Sequence, residues 1–292
     1  MPTSVSVAIV NAFVDGNTGG NPAGVVIAAD ALNSEQKLAV ARAVGLSETA
    51  FVSRSEQAAF KLEFFTPTRQ IPHCGHATIA TFSLLRERGL VGNGTTSKET
   101  IDGIRKIEID GELVFMEQRA PKYTGLTPAQ IASVMDSIGA SRAALAPGAE
   151  PCIVDTGNPF VLVPLARESD LAGLRPDFAA ISALSEELHL IGYHVFARKP
   201  AGQERLATAR MFAPLYGIDE EAATGMAAGP LACHLFDRGG ERRTTMLIEQ
   251  GVFMAPPSPS LLTARLELEA GNIARLFVGG RAKVTAEKRI EV

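Results

Sequence analysis

The sequence has few cysteines, no long apolar segment and no excess of basic residues. Its three cysteines are odd in number and widely spaced, which disfavours a disulfide framework. No apolar run approaches the roughly 18 residues of a membrane-spanning helix, and the first residues lack the basic segment of a signal peptide. With 28 Lys and Arg against 32 Asp and Glu, the formal net charge is −4, so a basic nucleic-acid-binding surface is not predicted. We therefore expect a cytoplasmic protein that binds neither nucleic acid nor membranes.

The length of 292 residues predicts two domains, since a domain typically has about 150 residues. Strand-like and helix-like segments alternate, which is typical of a mixed α and β fold. The clearest helix is Ser34–Val44, which Asn33 and Gln36 begin as a capping box and Gly45 ends. A polar stretch around Pro121 is the best linker candidate. We place the domains at 1–120 and 121–292, with the last strand able to return to the first domain.

An internal repeat is the most informative feature of the sequence. Three motifs of the first half recur in the same order in the second: Gly20-Asn21-Pro22 as Gly157-Asn158-Pro159, Phe65-Thr66-Pro67 as Phe212-Ala213-Pro214, and Cys74-Gly75-His76-Ala77 as Thr224-Gly225-Met226-Ala227. The period is far longer than the 20–50 residues of a solenoid repeat. The chain is therefore predicted to contain two like-folded halves, and small-molecule sites often lie between such halves.

Each half has a glycine at the start of a predicted helix, Gly75 before 76–88 and Gly225 before 226–238. A helix N-terminus presents unpaired N–H groups and a positive potential, and glycine lets a ligand approach closely. Two such termini would suit a small acidic metabolite. The alternative is that the glycines only let each helix pack tightly on its sheet.

Glu48 is the first candidate for acid/base chemistry. In the segment Leu46–Val52, interpreted as a strand, alternation places Glu48 on the face that carries the apolar residues. A carboxylate on such a face is costly unless it is paired or takes up a proton, and a carboxyl group of this kind is a useful general acid or base. The alternative is a solvated glutamate at the entrance of the strand, capped by a neighbouring hydroxyl group.

The other candidates lie at the two helix starts. His76 is placed where the helix dipole favours a neutral ring that relays a proton. Glu220 and Glu221 precede the second helix, where an acidic residue either functions in the site or complements the dipole. Cys74 also lies at a helix start, which activates a thiol, although a buried inert thiol is the commoner case. Zinc binding by His73, Cys74 and His76 is disfavoured because their spacing matches no zinc motif.

Several other kinds of chemistry are disfavoured. The sequence has no P-loop, no G-x-G-x-x-G and no nucleophile elbow, so neither nucleotide-dependent nor acyl-serine chemistry is expected. Structural roles are assigned to the remaining histidines and cysteines: His189, His194, His234, Cys152 and Cys233.

Together the motifs resemble the PhzF-like proteins of phenazine biosynthesis, from about residue 11 to residue 282. In the first half the resemblance rests on Asn11-Ala12-Phe13, Gly20-Asn21-Pro22-Ala23, Gly45-Leu46-Ser47-Glu48-Thr49-Ala50-Phe51, Phe65-Thr66-Pro67 and Cys74-Gly75-His76-Ala77-Thr78. In the second half it rests on Glu220-Glu221-Ala222-Ala223-Thr224-Gly225, Gly229-Pro230-Leu231, Gln250-Gly251 and Pro257-Ser258.

The resemblance implies an α+β, diaminopimelate-epimerase-like fold of two pseudo-symmetric domains. Each domain has curved, mostly antiparallel strands around a central helix, and the site lies in the cleft between. It implies a cofactor-free, metal-free isomerase, commonly a homodimer, that moves a proton between carbons of a small carboxylate-bearing metabolite. By motif, Glu48 is the proton shuttle, assisted by His76 and Glu221. Substrate-binding positions are Gly75, Ala77, Thr224, Gly225 and Met226.

Three positions depart from the pattern of the family. Glu221 stands where Asp is usual, Met226 where Ser is usual, and Pro256 where Arg is frequent. Replacing Ser by Met removes a hydroxyl that would help to hold a substrate carboxylate, and losing such a polar partner changes specificity strongly. We therefore expect the proton-transfer machinery to be kept and the substrate to differ from the phenazine precursor.

Two other functions are compatible with these motifs. A two-base amino-acid racemase or epimerase needs two thiols, but the position that matches Cys74 in the second half is Thr224. A non-catalytic protein that binds a small acid on the same fold is the other alternative, because fold alone does not establish activity. Substituting Cys74 and Glu48 separately distinguishes the racemase from the glutamate shuttle.

Overall fold

The computed structural model describes residues 3–292, which form two compact units. Unit 1 comprises the residues up to Glu117 together with Gly279–Val292, and unit 2 comprises Gln118–Val278. Over the described range, no helix has both the length and the apolar character needed to cross a membrane.

Unit 1 is a mostly antiparallel sheet with two helices. Its elements are β1 (Ser4–Ala12), β2 (Asn21–Val26), α1 (Ser34–Val44), β3 (Thr49–Ser53), β4 (Phe60–Phe65), β5 (Gln70–Ile71), α2 (Gly75–Glu87), β6 (Gly94–Thr100), β7 (Gly103–Asp110), β8 (Leu113–Gln118, whose last residue falls in unit 2) and β18 (Ala282–Glu291). The strand β18 pairs with β1, so the end of the chain completes the sheet that its beginning starts.

The strands of unit 1 are ordered around α2. From β18 the sheet continues through β1, β2, β3, β4, β6 and β7, and the pairs β2–β3 and β4–β6 are parallel. The helix α2 packs on β1, β2, β3 and β18, and its residues from His76 to Leu85 are all buried. The helix is buried on all sides because it is the centre of this unit rather than a surface element.

The helix α1 covers the other face of the same sheet. Alternate residues of β1, namely Val5, Val7 and Ile9, lie in one apolar cluster with Val40 and Ala41 of α1. Period-2 alternation along β1 therefore divides its side chains between the α1 layer and the α2 layer. Two layers on one sheet bury both of its faces.

Unit 2 repeats this plan with a longer connection. Its elements are β9 (Lys122–Gly125), α3 (Pro128–Ser137), β10 (Cys152–Asp155), β11 (Pro159–Leu165), α4 (Glu168–Ala172), α5 (Phe178–Glu187), β12 (Gly192–Arg198), β13 (Arg205–Ala213), β14 (Ile218–Glu221), α6 (Gly225–Asp237), β15 (Thr245–Gln250), β16 (Ser260–Glu269) and β17 (Asn272–Gly280, whose last two residues fall in unit 1). An apolar cluster that includes Ile131 of α3 and Ile181 of α5 packs against β11 and β12.

The strand order of unit 2 confirms the internal repeat. The order is β9, β10, β11, β12, β13, β15 and β16, and the pairs β11–β12 and β13–β15 are parallel. The same two connections are parallel in unit 1, and α6 packs on β10, β11 and β16 as the counterpart of α2. The motif matches in the sequence thus reflect the duplication of one α+β unit.

The helices predicted from local signals are confirmed. The helix α1 begins after Asn33, which forms both hydrogen bonds of the capping box with Gln36, and ends at Gly45 in a left-handed conformation. The glycines at the two repeated helix starts, Gly75 and Gly225, are the first residues of α2 and α6. Helix capping depends on residues that are close in sequence, so these helix boundaries can be predicted without knowledge of the fold.

The strand interpretation of Leu46–Val52 is wrong at its beginning. The strand β3 starts at Thr49, and Leu46 and Ser47 form a bend after α1. The start is fixed by parallel pairing with β2, where Gly24 aligns with Thr49. Glu48 therefore lies at the entrance of the strand, as the alternative interpretation has it, but its side chain is buried rather than solvated.

Gly192, at the start of β12, is predicted to be essential to the packing of unit 2. A Cβ at this position would lie 2.2 Å from the carbonyl oxygen of Phe212 and 3.0 Å from Cα of Ala213. We expect Gly192→Ala to lower the free energy of unfolding by about 3 kcal/mol, because backbone atoms must move to admit the methyl group. The matched control is Gly125→Ala, where the methyl group meets nothing within 4 Å. Urea denaturation of both variants tests this, and equal losses would contradict it.

Candidate active site

Glu48 is held in place through its backbone by the adjacent strand. The N–H of Gly24 donates a hydrogen bond to the carbonyl oxygen of Glu48 at 3.0 Å. A Cβ on Gly24 would lie 2.8 Å from Oγ1 of Thr49, so glycine is what lets β2 approach this closely. Glu48, 8% exposed, is consequently fixed at the point where α1 has ended and β3 begins.

Three side chains from two places in unit 1 form a buried chain of contacts. Nε2 of His76 lies 3.3 Å from Oε2 of Glu48, and Nδ1 of the same ring lies 3.5 Å from Sγ of Cys74. His76 and Cys74 are both buried. The imidazole thus stands between a carboxylate and a thiol, which is an arrangement able to store and relay a proton.

The start of α2 supplies the backbone beside this chain of contacts. Cys74 is the residue before the helix, and its carbonyl oxygen accepts hydrogen bonds from the N–H of Thr78 at 3.3 Å and from the Thr78 hydroxyl at 2.6 Å. Gly75 is partly buried and Ala77 is buried, both in the first turn. Their N–H groups lie at the positive end of the helix dipole, where a carboxylate is stabilised.

The same three side chains bring their donor atoms close together, as a metal site requires. One donor atom from each of Glu48, Cys74 and His76 lies within 4.8 Å of the others, so the nearest ligand set contains Glu48 rather than His73. A metal ion uses one ring nitrogen, whereas here Nδ1 faces the thiol and Nε2 faces the carboxylate. The ring therefore lies between the thiol, to which Nδ1 is hydrogen-bonded, and the carboxylate, with which Nε2 makes a close contact.

In unit 2, Glu221 is tied to the start of α6. Its Oε2 accepts a hydrogen bond from the Thr224 hydroxyl at 2.6 Å. Nε2 of Gln250 donates to the Glu221 carbonyl oxygen at 2.8 Å and to Oγ1 of Thr224 at 3.1 Å. Thr224 is buried and precedes the helix, as Cys74 does in unit 1. A carboxylate and a helix start are therefore again side by side.

The acidic pair of the second motif has two separate roles. Glu220 forms a bidentate ion pair with Arg210, with both N···O distances 2.8 Å, and Arg210 also donates to the carbonyl oxygen of Leu171. The ion pair of Glu220 with Arg210 therefore links β14 to β13. Of the two sequence candidates, Glu221 is the one that faces the helix start.

The first turn of α6 is fixed by a buried glutamine. Nε2 of Gln118 donates to the carbonyl oxygen of Gly225 at 2.8 Å, and its Oε1 accepts from the Thr156 hydroxyl at 2.8 Å. Gly229 makes room for this side chain, since a Cβ there would lie 2.2 Å from Oε1 of Gln118. Met226, in the same turn, is partly exposed and carries no hydroxyl.

A second thiol–imidazole pair, Cys152 and His234, lines a cavity of about 570 Å³ within unit 2. Sγ of Cys152 lies 3.6 Å from Nδ1 of His234. Burial raises the pKa of the Cys152 thiol and lowers the pKa of His234 to about 4. Cys233 is also buried, which raises its pKa. These thiols stay protonated and are poor nucleophiles, in keeping with the structural roles expected for them.

Sequence reasoning missed the residues that hold the two helix starts. Gln118, Gln250 and Lys98 are buried and donate hydrogen bonds to the segments around α2 and α6. The repeat shows where α2 and α6 begin, but partners that arrive from distant strands leave no local pattern. For Gln250 the only sequence signal is its place in the terminal motif.

The duplicated α+β unit, built on a central helix that begins at glycine, is the diaminopimelate-epimerase-like fold. The chain matches the PhzC-PhzF family, described as phenazine biosynthesis-like protein, over residues 10–288. It therefore belongs to this family and is an isomerase.

Relatives and solved structures agree with this membership. The chain is 33% identical over 235 residues to the uncharacterized isomerase YddE of Salmonella typhimurium, covering 79% of this chain and 78% of the relative. It is 34% identical over 280 residues to the trans-2,3-dihydro-3-hydroxyanthranilate isomerase of Pseudomonas chlororaphis, covering 93% and 94%. A crystal structure of a PhzF-family phenazine biosynthesis protein from Bacillus anthracis matches with a TM-score of 0.89 and 26% identity, over 99% of this chain and 100% of that one.

Proposed function

We propose that this isomerase moves a proton between two carbons of a small carboxylate-bearing molecule, with Glu48 as the acid/base group. The observation that carries the proposal is the buried contact of 3.3 Å between Glu48 and His76 at the start of α2. A carboxylate in this setting is shielded from water, so a proton that it takes up is retained long enough to be returned to the substrate.

The proposed reaction conserves all atoms and electrons. The Glu48 carboxylate removes a proton from one carbon, and the electron pair of that C–H bond shifts along the adjacent π system. The protonated Glu48 then returns the proton to another carbon, so the carboxylate is regenerated. His76 holds the carboxyl group from its Nε2 side, while the Cys74 contact at Nδ1 orients the ring.

In this proposal the helix starts bind the anionic group of the substrate. Gly75 and Ala77 of α2, with Thr224, Gly225 and Met226 at α6, are the candidate binding positions. Glu221, held by the Thr224 hydroxyl, is the candidate for a second carboxylate in the same reaction. Its support is the likeness of its local setting to that of Glu48, each carboxylate lying beside a helix start.

The substrate is proposed to be a cyclic or α-amino carboxylate. The Pseudomonas chlororaphis relative is named for trans-2,3-dihydro-3-hydroxyanthranilate, which carries both an amino group and a carboxylate on a ring. Met226 takes a position at α6 where a hydroxyl group would hydrogen-bond that carboxylate. We therefore propose that this chain prefers a substrate that makes an apolar contact at Met226.

Met226→Ser is expected to shift specificity toward the hydroxyanthranilate compound. The new hydroxyl group supplies one hydrogen bond to a carboxylate, which should lower KM for trans-2,3-dihydro-3-hydroxyanthranilate about tenfold. Met226→Ala is the matched control, because it removes the thioether side chain without adding a donor. Steady-state kinetics of both variants test this. Equal KM values for the Ser and Ala variants would show that no carboxylate is bound there.

The function itself is tested by hydrogen exchange into a panel of compounds. The wild-type protein is incubated in D₂O with trans-2,3-dihydro-3-hydroxyanthranilate and with cyclic and α-amino acids, and carbon-bound deuterium is followed by NMR. We expect deuterium at a carbon position of at least one panel compound. Tight binding of a compound without any exchange would instead support the non-catalytic, acid-binding alternative.

The proposed setting is the cytoplasm, with the chain as a homodimer. The support for the location is that all three cysteines are free thiols, which is common in a reducing compartment. The support for the dimer is the family resemblance. Size-exclusion chromatography with light scattering tests the dimer, and a monomer at micromolar concentration would contradict it.

A further inference from the structure

Lys98 of β6 places a basic side chain in the interior of unit 1. Its side chain is completely buried, whereas lysine is almost never fully buried without a carboxylate partner. The residue opposite it on β7 is another basic residue, Arg105, which is paired with Asp102. Burial lowers the pKa of Lys98 to about 7; the nearby Cys74 and Asp102 oppose this shift and Arg105 adds to it. The protein thus keeps a basic side chain where an apolar one would cost less free energy of desolvation.

The amino group of Lys98 contacts both ends of the segment from His73 to Thr78. Nζ donates to Oγ1 of Thr78 at 2.6 Å and lies 3.2 Å from Nδ1 of His73. Burial lowers the pKa of His73 well below its usual value, so this ring is neutral and its Nδ1 can accept a hydrogen bond. The Phe64 ring, whose centroid is 5.0 Å from Nζ, closes the site from β4.

From Thr78 the connection continues to the residue before the helix. The Thr78 hydroxyl donates to the carbonyl oxygen of Cys74 at 2.6 Å, so Lys98, Thr78 and Cys74 form one line of hydrogen bonds. His76 lies inside the segment that this line and the His73 contact enclose. We propose that Lys98 is a positioning residue, which fixes the segment His73–Thr78 so that the His76 ring stays aimed at Glu48. This inference rests on the proposed role of Glu48 and His76.

The same helix contains a second hydrogen bond of this kind, between a threonine hydroxyl and a carbonyl oxygen. Thr81, one turn further on, donates from its hydroxyl to the carbonyl oxygen of Ala77 at 2.7 Å. Within the described residues, the hydrogen bonds of Thr81 include no lysine, whereas Lys98 donates a hydrogen bond to Thr78. Lys98 therefore contacts the turn of α2 that carries the acid/base residues, and for this reason we assign it a role in positioning.

The first test replaces Lys98 by methionine, a residue of similar volume without charge. Replacing a buried charge by an apolar side chain is often neutral for stability, so Tm should stay within about 3 °C of the wild type. We expect kcat for deuterium exchange to fall 10- to 100-fold while KM changes less than threefold, because Lys98 touches no substrate. Lys106→Met on β7 is the matched control and should retain wild-type kcat. An unchanged kcat in a folded Lys98→Met protein would overturn the proposal.

Thr78 provides a second pair of variants that avoids removing the charge. Thr78→Val breaks the line of hydrogen bonds at constant shape, and Thr78→Ser restores the hydroxyl group. We expect Thr78→Val to lower kcat as Lys98→Met does, Thr78→Ser to retain it within threefold, and the double variant Lys98→Met/Thr78→Val to lose no more than either single variant. Independent, multiplicative losses would overturn the proposal.

A spectroscopic measurement separates this inference from the proposed function. The ¹⁵N shifts of the His76 ring nitrogens report its tautomer and its hydrogen bonds without any substrate. We expect Lys98→Met to change these shifts, even if no panel compound exchanges deuterium. Unchanged His76 shifts would overturn the positioning role alone, whereas absence of exchange in the wild type would overturn only the proposed function.

Discussion

Glu48→Gln is expected to lower the rate of deuterium exchange into the substrate by about 1,000-fold, within the range of 10²–10⁴ typical of a general acid or base. The amide has nearly the shape of the carboxylate but cannot take up a proton from carbon. Its buried position beside His76 is retained, so binding of the substrate should be largely preserved. The measurement is NMR-detected exchange in D₂O at saturating compound, with KM determined in parallel.

Two further variants give this expectation its controls. Glu35→Gln makes the same chemical change on the exposed first turn of α1 and should leave the exchange rate unaltered. Cys74→Ser keeps a polar group beside Nδ1 of His76 and should cost less than tenfold. Loss of all exchange in Cys74→Ser, with Glu48→Gln still active, would instead support thiol chemistry of the racemase type.

Acidification from pH 8 to pH 5 is expected to destabilise the protein by at least about 4 kcal/mol. Two buried histidines of unit 2, His194 in β12 and His234 in α6, account for this amount, and the lowered pKa of His73 in unit 1 adds to the loss. Burial lowers the pKa of His194 and of His234 from 6.5 to about 4. Both rings are therefore neutral in the folded state at pH 5, whereas in the unfolded chain they are protonated.

The sign and the pH window follow from these pKa values. Below pH 6.5 the unfolded chain binds more protons than the folded one, so stability falls as the pH falls, until the folded-state pKa near 4 is reached. At pH 5 each histidine contributes a loss on the order of 2 kcal/mol. Carboxylates with lowered pKa values, such as Glu241 and Glu249, lose their contribution only below about pH 4.5, outside this window.

Urea denaturation at pH 8 and pH 5 measures this loss. His234→Leu should reduce the difference between the two pH values by about 2 kcal/mol, because the leucine has no proton to bind. His189→Asn is the control: this histidine is exposed and has a positive φ, which asparagine tolerates. It should leave the difference unchanged. Equal free energies of unfolding at both pH values in the wild type would show that these rings accept protons in the folded protein.

The features that could be predicted from the sequence are those specified locally. The capping box at Asn33 and Gln36 fixes the start of α1, and the glycines at the repeated helix starts mark α2 and α6. The duplication is visible because each copy keeps its turn and helix-start residues. Local chemistry therefore indicated a mixed α and β fold and the two places where candidate site residues gather.

The features that could not be predicted depend on distant partners. The start of β3 at Thr49 is set by pairing with Gly24, and no local signal shows that Glu48 is buried there. The choice between Glu220 and Glu221 is made by Arg210 on another strand. Lys98 lies in a polar segment whose pattern is typical of a solvent-exposed strand, although its side chain points to the interior.

The central claim, that one shielded carboxylate carries the proton between carbons, is tested most directly by an isotope-transfer experiment. The panel compound that exchanges fastest is synthesised with deuterium at the donor carbon and converted in H₂O in a single turnover. The account predicts that part of this deuterium appears at the acceptor carbon of the product, because Glu48 is only 8% exposed and exchanges slowly with water. Product in which the acceptor carbon carries hydrogen from the solvent alone would contradict a single-carboxylate shuttle.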